Sequence, residues 1–210
     1  MNFQSNRYKF EFARPEDGGE LLGILEESDF KGQISLIYTR QPDAYASFKA
    51  EGEAATVVLC RDTEKNKVVA FGACSVHKVY INGKATRVGY LSGLRVRKDY
   101  RRLYPFLPRG YSLLHSFCRE HEVEYCYTTI LEENQYAQRL LEKKREFMPD
   151  YIPLSAYETF IIKTGAGKKA SKDYKLIRAS AEDLPSILEF LNLQGMSSQF
   201  FPVITVSDFK

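Results

Sequence analysis

The chain has 210 residues, of which 44% are hydrophobic and 27% are charged. This balance is typical of a folded globular protein and excludes an intrinsically disordered chain. The formal net charge of +3 is too small to indicate a nucleic-acid-binding protein by itself. At roughly 150 residues per domain, the length predicts one domain and part of another.

The predicted elements begin with a strand at residues 8–12, where the side chains alternate. A turn at 13–17 carries helix-start signals, and the apolar spacing from Leu21 to Leu25 then marks the buried face of a first helix. Less regular sequence follows to about Gly52, with possible helical turns at 33–38 and 44–49.

Three strands are predicted next, at 56–61, 67–81 and 84–96, and the dipeptide Asn82-Gly83 indicates a hairpin between the last two. The second half of the pattern predicts a helix at 110–121, a strand at 125–131, a helix at 135–145 and a strand at 157–163. This order predicts a mixed α/β domain in which the middle strands are antiparallel.

Residues 174–191 repeat residues 8–25 at an offset of 166, with seven of 18 positions identical. The identical residues of the first copy are Tyr8, Lys9, Ala13, Glu16, Asp17, Leu22 and Leu25. We therefore predict a domain at 1–163, a basic linker at 164–173 and the start of an incomplete second repeat at 174–210. On this hypothesis the chain is a piece of a longer tandem protein, although a generic strand–turn–helix unit would look similar.

The sequence offers no membrane, secretory or metal signal. No apolar run reaches the ~20 residues of a spanning helix, and the first residues lack the apolar core of a signal peptide. The three histidines show no metal-ligand spacing, and we expect no metal. We expect the cysteines to be buried, apolar side chains in a reducing cytoplasm. They are Cys60, Cys74, Cys118 and Cys126.

A basic turn joins the strand at 84–96 to the following helix. Six basic residues fall between Arg95 and Arg109, opposed only by Asp99. Positive charge at a helix N-terminus suits a phosphate, because free backbone N–H groups and the helix dipole add to it. Two other interpretations remain open: a solvated charged loop, and a nucleic-acid contact in which Tyr100, Tyr104 and Phe106 stack on bases. We do not expect a nucleic-acid partner.

Residues 8–162 resemble the GNAT N-acetyltransferase superfamily. The segment Leu94-Arg95-Val96-Arg97-Lys98-Asp99-Tyr100-Arg101 matches the first half of the family's pyrophosphate-binding motif, and Asn134, Ala137 and Leu140 are in register with its second motif. The resemblance implies a central mixed sheet, mostly antiparallel with one splayed parallel pair, and helices on both faces. It implies acyl transfer from acetyl-CoA, or another acyl-CoA, to an amine of a small molecule or peptide.

The resemblance also implies roles for particular residues. The cofactor would contact Leu94, Arg95, Val96, Arg101, Arg102, Arg109 and Asn134. Candidate bases are Glu132 and Glu133, and Tyr151 is a candidate proton donor, with Tyr136 and Tyr157 as alternatives. No spacing selects one of them.

The sequence departs from the family pattern in two places. Tyr104 and Phe106 stand where small residues let the backbone approach phosphates, and Leu141 stands where many members have a tyrosine general acid. These departures suggest a second hypothesis. The domain would then be a catalytically degenerate acetyltransferase-like module that supports an active second domain or binds a ligand or partner.

Overall fold

A computed structural model describes residues 7–27, 29–30, 36–37, 39–101, 107–160 and 175–209. Its helices and strands, in chain order, are β1 (Tyr8–Phe12), α1 (Gly18–Glu26), β2 (Asp29–Phe30), β3 (Leu36–Ile37), α2 (Ala44–Lys49), β4 (Ala54–Asp62), β5 (Lys67–Ile81), β6 (Lys84–Val96), α3 (Leu107–Glu120), β7 (Tyr125–Tyr127), α4 (Gln135–Glu142) and α5 (Leu184–Gly195). No helix among these residues has the length and apolar character to cross a membrane.

The central sheet has five strands in the order β1-β4-β5-β6-β7. All neighbouring pairs are antiparallel except β6 and β7, which are parallel. Asn82 and Gly83 both have positive φ, as a tight hairpin turn between β5 and β6 requires. The predicted mixed sheet with one parallel pair is therefore confirmed.

Helices cover both faces of this sheet, as expected. On one face α1 and α2 pack against it, and the core there includes Leu21, Phe48 and Leu59. On the other face α3 packs against it, with Val58 and Phe117 in the core. Successive residues of β4 thus serve opposite cores, which explains its nearly continuous apolar sequence.

Three predicted elements differ from the structure. The strand expected at 125–131 ends at Tyr127. The strand expected at 157–163 is wrong for residues 157–160, which have no strand and leave Tyr157 and Phe160 exposed. A strand-like pattern forms a strand only where a neighbour supplies backbone hydrogen bonds. In the region of the predicted turn at 33–38, residues 36–37 form the short strand β3. The predicted linker at 164–173 lies outside the described residues.

The segment after α5 extends the sheet at the far end of β5. The N–H of Tyr80 donates to the carbonyl of Phe201 at 2.8 Å, and the N–H of Phe200 donates to the carbonyl of Tyr80 at 2.9 Å. The Tyr80 hydroxyl also donates to Asn192 Oδ1 of α5 at 3.2 Å. Residues about 120 positions apart in sequence thus join one sheet edge.

Asp62 anchors the turn that follows β6. Its carboxylate is fully buried and accepts two bonds from the Arg7 guanidinium, at 3.0 and 2.7 Å, and one from the Tyr100 hydroxyl at 3.0 Å. These hydrogen bonds lower the pKa of Asp62 from 3.8 to about 2, and the bond from Arg7 has the largest effect. The basic turn is therefore held to the edge of the sheet by a charged contact.

We expect Asp62→Asn to destabilise the chain at neutral pH and to flatten its acid unfolding profile. A depressed carboxyl pKa contributes stability above the ordinary value of 3.8 and loses it as the pH falls towards about 2. The difference between wild type and variant, measured by thermal unfolding, should shrink across that window. A difference that stays constant with pH would contradict the assignment.

Candidate active site

A cleft opens where β6 and β7 separate. The two strands pair only at Val88 with Tyr125, Gly89 with Cys126 and Tyr90 with Tyr127. Residues 91–96 of β6 continue beside β5, while the chain after Tyr127 leaves the sheet. Side-chain hydrogen bonds cross the start of the gap: Thr128 Oγ1 donates to the carbonyl of Leu91 at 2.7 Å, and the Tyr90 hydroxyl lies 2.9 Å from Thr129 Oγ1. The parallel pair is therefore splayed, as the sequence predicted.

A β-bulge lies in β6 at this opening. Phe71 pairs with Arg95 and Ala73 pairs with Ser92, so that Gly72 of β5 opposes two residues of β6, Gly93 and Leu94. Gly93 has a φ of +67°, a conformation that glycine adopts without strain. A bulge bends its strand and interrupts the hydrogen-bond ladder. Here the ladder with β5 is interrupted at Gly93 and Leu94, and both residues line the cleft.

The cleft has a volume of about 410 Å³, within the range of small-molecule sites. Its lining comes from β1, β4, β5, β6, the segment 128–131, α3 and α4. Most of it is apolar, including Leu91, Leu94, Leu107, Leu114, Leu131 and Leu141. Ser92 also lines it, and the buried Ser92 Oγ has no hydrogen-bond partner among the described residues. Such a hydroxyl is available to a ligand.

The predicted cofactor residues fall into two groups. Leu94, Arg95 and Asn134 line the cleft. Asn134 also caps α4, because its Oδ1 accepts from the N–H of Ala137 at 3.2 Å. Val96, Arg101 and Arg109 lie outside the lining, and Arg102 lies outside the described residues.

Arg109 stands in the first turn of α3 and is exposed. Its guanidinium lies 5.4 Å from the centre of the Phe10 ring, and Leu107 and Gly110 of the same turn line the cleft. Arg101 is also exposed, at the end of the basic turn. The positive charge of Arg109 therefore lies next to a residue of the cleft lining, near the beginning of a helix.

Of the candidate catalytic residues, some line the cleft and others do not. Glu132 and Glu133 are exposed and lie outside the cleft lining. Tyr151 lines the cleft, and its hydroxyl oxygen lies 2.6 Å from that of Tyr111 on α3. Burial raises the pKa of both phenols, so both stay protonated at neutral pH. The alternatives Tyr136 and Tyr157 are exposed.

Solved structures resemble this architecture. No family model matches the sequence, and no curated protein sequence matches it at a significant level. An aminoglycoside acetyltransferase from an uncultured soil metagenomic sample superposes with a TM-score of 0.56 and 16% identity, over 76% of this chain and 99% of that one. An aminoglycoside antibiotic 6'-N-acetyltransferase from Acinetobacter baumannii gives a TM-score of 0.54 and 14% identity, over 74% and 99%. The chain has the GNAT acetyltransferase fold.

A third structure with this fold extends the range of acceptors among the neighbours. The ribosomal-protein-alanine N-acetyltransferase from Brucella melitensis biovar Abortus 2308 gives a TM-score of 0.50 and 14% identity, over 75% of this chain and 99% of that chain. The names of these proteins cover both an antibiotic and a protein substrate. The GNAT fold therefore does not select an acceptor for this chain.

Within the GNAT fold, the cleft contains polar groups that the sequence did not single out. Tyr111 lies in the helix predicted at 110–121, and periodicity gave no sign that its hydroxyl meets Tyr151. Thr128 was placed inside a strand, whereas it bridges the splayed pair. Ser92 beside Gly93, flanked by Leu91 and Leu94, was the one available signal.

Proposed function

We propose that this chain is an N-acyltransferase that uses acetyl-CoA, or another acyl-CoA, and acts on an amine of a small molecule or peptide. The observation that carries the proposal is the cleft between the splayed strands β6 and β7, with a bulge on its β6 edge. The GNAT fold supports it, since the neighbours named above are N-acetyltransferases of amines.

The residues of the cleft fit an acyl-CoA. Beyond Tyr90 the edge of β6 that faced β7 has no strand partner among the described residues. An extended pantetheine chain can pair with such an edge much as an added strand would. Leu94, Arg95 and Val96 would hold this arm, with Asn134 across the cleft.

The pyrophosphate would lie at the first turn of α3. Free backbone N–H groups and the helix dipole favour an anion there, and Arg101, Arg102 and Arg109 would add charge. The bound group supplies a thioester, which is an activated acyl donor. The chain would supply the orientation of the donor and an apolar wall that excludes water.

We assign the role of proton donor to Tyr151, because it lines the cleft, its hydroxyl is protonated at neutral pH, and Tyr111 holds it in place at 2.6 Å. Backbone N–H groups at the bulge would polarise the acyl oxygen. Glu132 and Glu133 stay as candidate bases, although both would have to act through water from their exposed positions.

A degenerate module is the second candidate function. Leu141, which occupies the position of the usual tyrosine, is only 7% exposed and forms part of the apolar cleft wall. Without a proton donor the cleft would bind an acyl-CoA or another ligand and turn over nothing. Acyl-CoA binding together with no transfer to any amine would favour this candidate.

We further propose the domain division 1–163, 164–173 and 174–210, with the last segment as the incomplete start of a second GNAT-like repeat. Two observations support it. The neighbours match about three quarters of this chain. The turns before α1 and α5 share one geometry, since the N–H of Arg14 donates to Asp17 at 2.8 Å and that of Ser180 donates to Asp183 at 2.8 Å. These pairs are related by the offset of 166 residues.

Calorimetric titration with acetyl-CoA tests the cofactor site. We expect one saturable site per chain, and a loss of affinity of at least about tenfold in Ala137→Phe. Ala137 lines the cleft from the first turn of α4, so a phenyl ring there would occupy the ligand volume.

Arg139→Phe is the matched control. Arg139 belongs to the same helix but is exposed and lies outside the cleft lining, so affinity should not change. The proposal would be overturned if millimolar acetyl-CoA produced no binding heat and no shift of the unfolding temperature. Equal loss in both variants would show that the ligand binds elsewhere.

A further inference from the structure

Three of the four cysteines meet in one cluster, which we call the sulfur cluster. Cys118 Sγ lies 3.9 Å from Cys74 Sγ and 3.6 Å from Cys126 Sγ, and all three sulfur atoms lie within 4.8 Å of one another. The residues come from β5, α3 and β7, so tertiary packing brings them together. Cys126, which the sequence placed in the core, is exposed, whereas the other two are buried.

Gly89 of β6 makes room for the sulfur cluster. A Cβ atom at this position would lie 2.7 Å from Cys126 Sγ and 3.3 Å from Cys74 Sγ. Glycine weakens the interior of a strand, and it is often found where other atoms approach the backbone closely. Any larger residue at position 89 would push the sulfur atoms apart.

The sulfur cluster lies at the closed end of the cleft. Gly89 pairs with Cys126, and the next pair, Tyr90 with Tyr127, is the last before β6 and β7 separate. A bond between these sulfur atoms through a common ion would tie α3, β5 and β7 together at that point. The cluster is thus placed to set how far the splayed strands open.

We propose that Cys74, Cys118 and Cys126 form a three-thiolate site for a thiophilic metal ion of the zinc type. A Zn–S bond of about 2.3 Å in tetrahedral geometry requires sulfur atoms about 3.8 Å apart. The two distances from Cys118, 3.6 and 3.9 Å, lie on either side of this value. Three soft thiolates select zinc, cadmium or copper(I) over hard cations.

Solvent can reach the sulfur cluster from the side of β7. Cys74 and Cys118 are 0% and 6% exposed, whereas Cys126 is exposed at the sheet edge. An ion could enter along that edge, and a water molecule could complete the tetrahedron as a fourth ligand. Binding would release the thiol protons and leave three sulfur–metal bonds.

Cadmium is the probe for the experiment. The reduced, metal-free 210-residue chain is titrated with Cd²⁺, and the ultraviolet sulfur-to-cadmium charge-transfer band is followed. We expect one equivalent to bind, Cd²⁺ to displace Zn²⁺ that was bound first, and either ion to raise the unfolding temperature. Cys126→Ser and Cys118→Ser should each weaken binding by at least about 100-fold.

Cys60→Ala is the matched control, because Cys60 is a buried thiol of β4 outside the sulfur cluster. It should retain the full equivalent. If Cys118→Ser does not fold, as judged by circular dichroism, the exposed Cys126 decides the question. No charge-transfer band, equal loss in Cys60→Ala, or a disulfide formed in place of metal binding would each overturn the site. None of these readouts depends on acyl-CoA binding.

Discussion

Replacing Gly93 by alanine is expected to lower the free energy of unfolding by about 2–4 kcal/mol. The positive φ of +67° costs about 1–2 kcal/mol for a residue with a Cβ atom. The new methyl would also lie 3.0 Å from Phe48 Cζ and 3.2 Å from the Phe71 ring. Both rings are at most 2% exposed, so neither can move aside into solvent.

Gly72→Ala is the control for this experiment. Gly72 faces the bulge from β5, but a Cβ atom there would meet only Leu94 Cδ1, at an ordinary 3.8 Å. Urea denaturation of both variants should show a large loss for Gly93→Ala alone, with equal m-values. Equal stability of the two would mean that the bulge tolerates a side chain.

The fold follows from features that are local in sequence. The Val-rich run at 56–61 predicted a strand, and the structure places this strand between two helical layers. Asn82-Gly83 predicted the hairpin because a two-residue turn requires positive φ at both positions. Such signals act within a few residues, so one sequence is enough to show them.

The site depends instead on contacts between residues that are far apart in the sequence. Glu132 and Glu133 were selected because they adjoin Asn134 in sequence, yet only Asn134 lines the cleft. Tyr111 and Tyr151 are 40 residues apart and share a hydrogen bond. Periodicity predicts which face of an element is buried, but not which side chain of another element it will meet.

We expect Tyr151→Phe to lower the rate of acyl transfer by about 100-fold while changing acetyl-CoA affinity by less than about threefold. The phenyl ring keeps the packing and loses only the hydroxyl that would protonate the leaving thiolate. The assay follows release of the CoA thiol with an aminoglycoside or an alanine peptide as the amine. Burial raises the pKa of Tyr151 from 10.0, so the wild-type rate should not fall through loss of this proton between about pH 7 and 9.

Tyr111→Phe separates catalysis from stability. Each variant removes one partner of the same 2.6 Å hydrogen bond, so each should lose about 1 kcal/mol of stability. Only Tyr151→Phe also removes the proposed acid from the cleft. A rate loss of about tenfold or less in Tyr111→Phe, against about 100-fold in Tyr151→Phe, would assign the proton to Tyr151. Equal rate losses in the two variants would mean that the hydrogen bond between Tyr111 and Tyr151 is only structural. Wild-type protein that binds acetyl-CoA without turnover would favour the degenerate module.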